Sequence, residues 1–136
     1  MSDTGPRNHA GLKPRGVRHR GFGAFTRLWL PVLAWAALIF AFSSAPDLGT
    51  GLGGWDFVLR KLAHTVEYAG LGALLVRATG RSGLAFTLGT LYAVSDEIHQ
   101  TFVAGRHGAP LDVAIDALGV ICGILLWQSL SRRRLA

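Results

Sequence analysis

Four long apolar blocks dominate this sequence and constrain its fold more than any other feature. They cover residues 28 to about 42, about 57 to 78, 82 to about 103, and 111 to 130. A helix of roughly 20 apolar residues spans the hydrocarbon core of a bilayer. Only 16% of the residues are charged, against roughly 25% in soluble domains. The layout predicts an all-α bundle of four transmembrane helices.

The remaining segments are short, polar and mostly basic. Residues 1–27 are predicted to form a flexible basic cytoplasmic tail, residues 28–130 the transmembrane domain, and residues 131–136 a basic cytoplasmic C-terminus. Pro31 then falls in the first turn of the first helix, where proline costs little. A signal peptide is the rival interpretation of the first block, but the long polar start and the three later blocks favour an uncleaved span.

The basic residues predict the orientation. With both termini in the cytoplasm, eleven lysines and arginines lie inside, against Arg60, Lys61 and Arg106 outside. Such a bias matches the positive-inside rule and predicts a multi-pass protein of the bacterial inner membrane. The net charge of +6 is therefore assigned to topology and anionic lipid, and no nucleic-acid partner is predicted because no nucleic-acid motif is present.

Ionisable residues inside the apolar blocks are the candidates for function. The alternating directions of the helices put their polar residues at one level, in the outer half of the membrane. Lys61, His64 and Tyr68 share one helical stripe, and Asp112 and Asp116 share another. A charge at mid-membrane costs roughly 2.5–3.5 kcal/mol on insertion scales. The predicted polar-pocket residues are Lys61, His64, Glu67, Tyr68, Asp96, Glu97, Gln100, Arg106, Asp112 and Asp116.

Other features of the blocks predict packing more than chemistry. Gly119 and Gly123 form a GxxxG pair on the face of Asp112 and Asp116, so this face is expected to pack closely on a neighbouring helix. The spacings of His64 with Glu67 and of Asp96 with His99 vaguely match the carboxylate–histidine pairs of di-metal bundles. The residue order differs between the two pairs, and no metal or other cofactor is predicted.

Two segments resemble the signatures of the VanZ-like membrane proteins. The first is the run from Lys61 through His64 to Tyr68, which is similar to a K-x-x-H-x-x-x-Y pattern. The second is Ser-Asp-Glu-Ile-His-Gln at residues 95–100, followed by Arg106, Asp112, Asp116 and Gly119. One departure is Asp116, where many members of that family carry asparagine. The resemblance covers about residues 28–130 and implies a multi-spanning cell-envelope protein, with a founding member associated with glycopeptide (teicoplanin) resistance.

Several functions stay open at this point. The first is binding of an amphipathic lipid-linked or glycopeptide ligand in an outward-facing polar pocket, with Lys61 and Arg106 holding an anionic group. The second is a membrane-embedded hydrolase or transferase acting on such a ligand. The third is a proton-coupled carrier or a partner subunit of an envelope complex. Four helices are few for a carrier, so the carrier function predicts an oligomer in the bilayer.

Overall fold

The computed structural model describes residues 20–45, 54–106 and 108–133, and these fold into four helices without a strand. The helices are α1 (Arg20–Ser43), α2 (Gly54–Thr79), α3 (Ser82–Gln100) and α4 (Pro110–Arg133). The prediction of an all-α chain is thereby confirmed. Residues 1–19 of the predicted tail, residues 46–53 and residues 134–136 lie outside the described residues.

The helix boundaries differ from the apolar blocks at two places. α1 begins at Arg20, so residues 20–27 of the predicted tail are helical. Residues 20–30 contain no proline that would stop a helix from extending toward the N-terminus. As a result, Pro31 lies inside α1 and not in its first turn. α3 ends at Gln100, because the amides of Thr101, Phe102 and Val103 turn back to carbonyls three residues earlier.

Two of the four helices are long and apolar enough to cross a membrane. They cover Gly23–Ser43 and Pro110–Arg133. Only 11% of the first span and 28% of the second are buried inside the protein. α2 and α3 contain more polar and charged residues and do not meet the same criterion. Length and composition therefore leave the predicted four-span topology unconfirmed.

The α2–α4 contact is the most extensive contact between helices. Glycines allow it: a Cβ built on Gly119 would lie 2.7 Å from the carbonyl oxygen of Thr65, and one built on Gly123 would overlap the backbone of Ala69. From the other side, a Cβ on Gly72 would overlap the backbone of Val120. α1 packs on α2 and α3, and within the described ranges it makes no contact with α4. The α2–α3 hairpin therefore lies between α1 and α4.

Candidate functional site

Polar side chains gather where α1 and α3 end and where α2 and α4 begin. Contacts across this region join Ser43 to Asp96, Lys61 to Asp112, and Glu97 to the start of α4. We call this region the polar end of the bundle. The antiparallel order of the helices produces it, because the C-terminal ends of α1 and α3 meet the N-terminal ends of α2 and α4.

A buried carboxylate lies at the centre of the polar end. Asp96 is 3% exposed, and its Oδ2 accepts hydrogen bonds from the Ser43 hydroxyl at 2.7 Å, the Tyr68 hydroxyl at 3.2 Å and the Gln100 amide at 3.2 Å. Ser43 and Tyr68 are themselves fully buried. Three donors on one carboxylate oxygen make a charge-assisted network that joins α1, α2 and α3.

A second pair of interactions joins α2 to α4. Lys61 forms an ion pair with Asp112. One turn further along, the Nδ1 atom of His64 lies 3.5 Å from Oδ1 of Asp116. Lys61 and His64 lie three residues apart on one face of α2, and Asp112 and Asp116 lie four apart on one face of α4. The two faces therefore meet along one turn of each helix. Asp116 is 1% exposed, and its Oδ2 has no hydrogen-bond partner among the described residues.

These residues surround a small pocket with a cavity volume of about 30 Å³. One water molecule needs roughly 10–15 Å³ of such volume, so the pocket has room for a small polar group. It lies between α2, the end of α3 and the start of α4. Its walls are formed by Arg60, Lys61, His64, Gln100, Asp112, Ile115 and Asp116.

The loop between α3 and α4 is tied to the bundle by two charged side chains. Glu97 accepts a hydrogen bond from the backbone N–H of Ala109, immediately before α4, where a carboxylate also meets the positive end of the helix dipole. Arg106 donates to the carbonyl of Ala45 from Nε at 3.1 Å and to that of Phe42 from Nη2 at 3.2 Å. These bonds hold the loop against the C-terminal end of α1.

The structure divides the ten predicted pocket residues by position. Those that line the pocket are Lys61, His64, Gln100, Asp112 and Asp116. Tyr68 and Asp96 lie buried in the hydrogen-bonded network beside it. Glu97 and Arg106 fix the α3–α4 loop, and the half-buried Glu67 lies on α2 outside the pocket lining. The predicted role of Arg106 in holding an anion competes with its bonds to the carbonyls of Phe42, in α1, and Ala45, just after α1.

Several residues of the polar end were not singled out by sequence reasoning. Ser43 belongs to the Asp96 network, and the Ser44 hydroxyl lies 3.0 Å from Nε2 of His99. The predicted topology could have identified both serines, because it places the C-terminal end of the first helix at the same depth in the membrane as the polar residues of the third. Arg60 and Ile115 also line the pocket. Ile115 carries no polar atom in its side chain that would mark it.

The side chains at the polar end are suited to hydrogen bonding and ion pairing. Within the described ranges, no group of three or more His, Cys, Asp or Glu side chains is placed to hold a metal ion. The His64 and Asp116 pair instead resembles a histidine oriented by a carboxylate, an arrangement that can bind a donor or move a proton.

Comparison with known proteins gives one family. Searches of curated proteins and of solved structures give no match. The family described as VanZ/LLP1 matches residues 25–131, nearly the whole helical part, and the chain therefore belongs to the VanZ/LLP1 family.

Proposed function

We propose that this chain is a multi-pass inner-membrane protein of the bacterial cell envelope that binds an amphipathic ligand through its polar end. The family and the two apolar helices are compatible with a membrane protein. In this proposal all four helices span the bilayer and both termini are cytoplasmic. The polar end then faces outward and receives the headgroup of a lipid-linked or glycopeptide ligand.

The outer surfaces of α2 and α3 support the two additional spans. Large apolar side chains are exposed on α2, including Leu62 at 57% and Val66 at 68%, and on α3, including Leu91 at 61%. The charged and polar residues that lower the hydropathy of these helices include Asp96 and Glu97, which are buried. A helix with apolar residues outside and polar residues inside suits a bundle surrounded by lipid.

The basic residues support the proposed orientation. Arg77, Arg81, Arg132 and Arg133 lie at the opposite end of the bundle from Lys61 and Asp112, next to the α2–α3 turn and the end of α4. The positive-inside rule places such an end in the cytoplasm. The polar end then opens toward the periplasm, where a ligand in the outer leaflet can reach the pocket from the side or from above.

The pocket beside Asp116 is the single observation that carries the ligand-binding proposal. Ionisable residues inside a membrane domain are costly and are functional candidates by default. Here ionisable residues of α2 and α4 converge with Gln100 of α3 on one concave site, which contains a carboxylate with a buried oxygen that no described group satisfies. Packing alone would favour apolar residues at such positions. Convergent polar groups in a pocket are the usual form of a ligand site.

Filling the pocket tests this proposal. Ile115 lines the pocket, whereas Leu118, on the same helix, is 60% exposed on the outer surface. We expect Ile115→Phe to weaken binding at least tenfold, because the larger ring occupies the pocket, and Leu118→Phe to leave it unchanged. The purified full chain would be titrated separately with dioctanoyl phosphatidylethanolamine, dioctanoyl phosphatidylglycerol and teicoplanin by calorimetry. Absence of binding of all three to the wild type would contradict the proposal.

The same pair of variants separates ligand binding from drug resistance. If the pocket supports glycopeptide resistance, expression of the wild type in a susceptible bacterium raises the inhibitory concentration of teicoplanin, and Ile115→Phe abolishes the rise while Leu118→Phe retains it. Equal protein levels in the membrane fraction are the control. Unchanged susceptibility with the wild type would limit the role to other envelope ligands.

Acid–base catalysis is a second candidate function, favoured by the His64 and Asp116 pair. A histidine held by a carboxylate can accept a proton from a hydroxyl of the ligand or from water. Incubation of the purified chain with the same lipids, followed by mass spectrometry of the products, tests it. Turnover that is lost in His64→Gln would establish a hydrolase or transferase, and intact lipids would leave binding as the function.

A further inference from the structure

The unsatisfied oxygen of Asp116 indicates the chemical class of the ligand. Resting on the proposed function, we infer that the deep part of the pocket binds a primary ammonium group of a zwitterionic, phosphate-containing headgroup. Asp116 is 1% exposed, its Oδ1 faces His64 at 3.5 Å, and its Oδ2 has no partner among the described residues. A buried acceptor without a partner, on a residue that lines the pocket, favours a ligand that brings a donor.

A second buried acceptor lies in the same region. Oδ1 of Asp96 also has no hydrogen-bond partner in the described part of the chain, although Oδ2 of the same carboxylate accepts three bonds. Gln100 joins the two sites, because it donates to Asp96 and also lines the pocket. Two carboxylates with free acceptor oxygens at one end of the bundle favour a ligand with several N–H donors, and a primary ammonium has three.

The charges of the polar end also favour a cationic group on the ligand. Among its described side chains, five are acids and three are bases when both histidines are neutral; they are Glu67, Asp96, Glu97, Asp112 and Asp116 against Arg60, Lys61 and Arg106. A purely anionic headgroup would increase the surplus of negative charge, whereas an ammonium reduces it. Electrostatic complementarity therefore selects a cationic group for the deep part of the pocket.

The part of the pocket wall nearest the start of α2 is suited to the phosphate of the same headgroup. Arg60 and Lys61 line this pocket together with Asp116. Lys61 precedes His64 by three residues, which is a rise of about 4.5 Å along a helix. An anion at Lys61 shares that cation with Asp112 and does not require the ion pair to break. A phosphate at the mouth and an ammonium beside Asp116 together describe a phosphoethanolamine-type headgroup.

A comparison of two lipids tests the inference without any variant. Dioctanoyl phosphatidylethanolamine and dioctanoyl phosphatidylglycerol share their chains and phosphodiester, but only the first has an ammonium. We expect the purified full chain to bind the ethanolamine lipid at least tenfold more tightly in calorimetric titrations. Equal affinities, or tighter binding of the glycerol lipid, would overturn the inference and leave the proposed binding function in place. Failure to bind either lipid would overturn the inference, and failure to bind teicoplanin as well would overturn the proposed function.

A matched pair of variants locates the preference. Asp116→Asn removes the charge of the pocket carboxylate, and Glu67→Gln removes the same charge from α2 outside the pocket lining. We expect Asp116→Asn to lose the roughly tenfold preference for the ethanolamine lipid while it still binds the glycerol lipid, which also shows that it folds. Glu67→Gln is expected to keep the preference. An equal loss in both variants would assign the effect to net charge and overturn the assignment to Asp116.

Discussion

Single residues at the α2–α4 contact decide how closely these helices approach. Gly123 faces the backbone of Ala69 so tightly that an added Cβ would overlap it. Gly119 faces Thr65 and the Cβ of Tyr68 in the same way. Since Tyr68 and Asp116 belong to the polar end on these two helices, the glycines set the distance across which the pocket forms.

We expect Gly123→Ala to destabilise the protein by about 1–3 kcal/mol, as overpacking of a well-packed core does. The methyl group meets backbone atoms of Ala69, which cannot move aside as a flexible side chain can. Gly83→Ala is the matched control, because a Cβ at that exposed helical position meets nothing within 4 Å. Chemical unfolding of the two variants in the same detergent measures the difference. Equal stabilities would contradict the close α2–α4 contact.

Hydroxyl groups of the two tyrosines offer a second test at this scale. Tyr68 donates to the buried carboxylate of Asp96 at 3.2 Å, whereas Tyr92 donates to the neutral backbone carbonyl of Ala36 at 2.6 Å. Tyr68→Phe is expected to cost about 1.5–3 kcal/mol and Tyr92→Phe about 0.5–1.5 kcal/mol, because hydrogen bonds to charged groups contribute more. Denaturant unfolding compares the two. A smaller cost for Tyr68→Phe would mean that Asp96 is satisfied without it.

At the scale of elements, one arginine connects the α3–α4 loop to the end of α1. Arg106 reaches two carbonyls near the end of α1, and a planar guanidinium can donate to both at once. The loop also contains Gly105, whose φ of 77° favours glycine. The end of α1 is therefore held from outside its own helix, next to Ser43 and the Asp96 network.

Arg106→Lys is expected to loosen the end of α1, because a single ammonium does not reproduce the fork that binds both carbonyls. Hydrogen exchange followed by mass spectrometry should show faster exchange in residues 40–45 than in the wild type. Arg81→Lys makes the same replacement in the turn between α2 and α3, at the opposite end, and should leave this segment unchanged. If both variants exchange like the wild type, the tether contributes nothing to the order of α1.

Comparison of sequence and structure at this scale shows what local patterns determine. The stripes of Lys61 and His64 on α2 and of Asp112 and Asp116 on α4 follow from helical periodicity, and the structure places them against each other. These side chains meet because the helices run antiparallel, and consecutive apolar blocks joined by short polar segments predict that arrangement. Helical periodicity also put Gly119 and Gly123 on the face of Asp112 and Asp116, and in the structure these glycines pack against the backbone of α2.

What escaped prediction depends on contacts between distant segments. The early start of α1 occurs in residues whose composition resembles a loop, and the bond from Trp35 to the carbonyl of Glu67 joins positions with no shared pattern. Ser43 follows the first apolar block of the sequence, yet it is the last residue of α1 and donates a hydrogen bond to Asp96. A single sequence does not show such pairings, since hydroxyl and indole donors fit many acceptors.

For the whole molecule, the surface differs from that of a soluble protein, because many large apolar side chains are exposed while several polar ones are buried. Fully buried residues include Asp116 and Ser43, while Phe42, Leu125 and Leu126 are each more than half exposed. Soluble monomers rarely expose such extensive apolar surface. Exposed large apolar side chains occur on all four helices, so a bilayer that covers only α1 and α4 would leave the apolar sides of α2 and α3 in water.

The proposed topology predicts which loops reach each side of the membrane. Cys122 is the only cysteine, so Cys122→Ala provides a background for Ala104→Cys, in the exposed α3–α4 loop, and Gly83→Cys, at the exposed start of α3. We expect a membrane-impermeant maleimide to label the first variant in intact cells and the second only after permeabilisation, because α3 separates the two positions. The Cys122→Ala background is the unlabelled control. Labelling of both from outside would contradict a spanning α3, and the reverse pattern would place the polar end, and with it the pocket beside Asp116, in the cytoplasm.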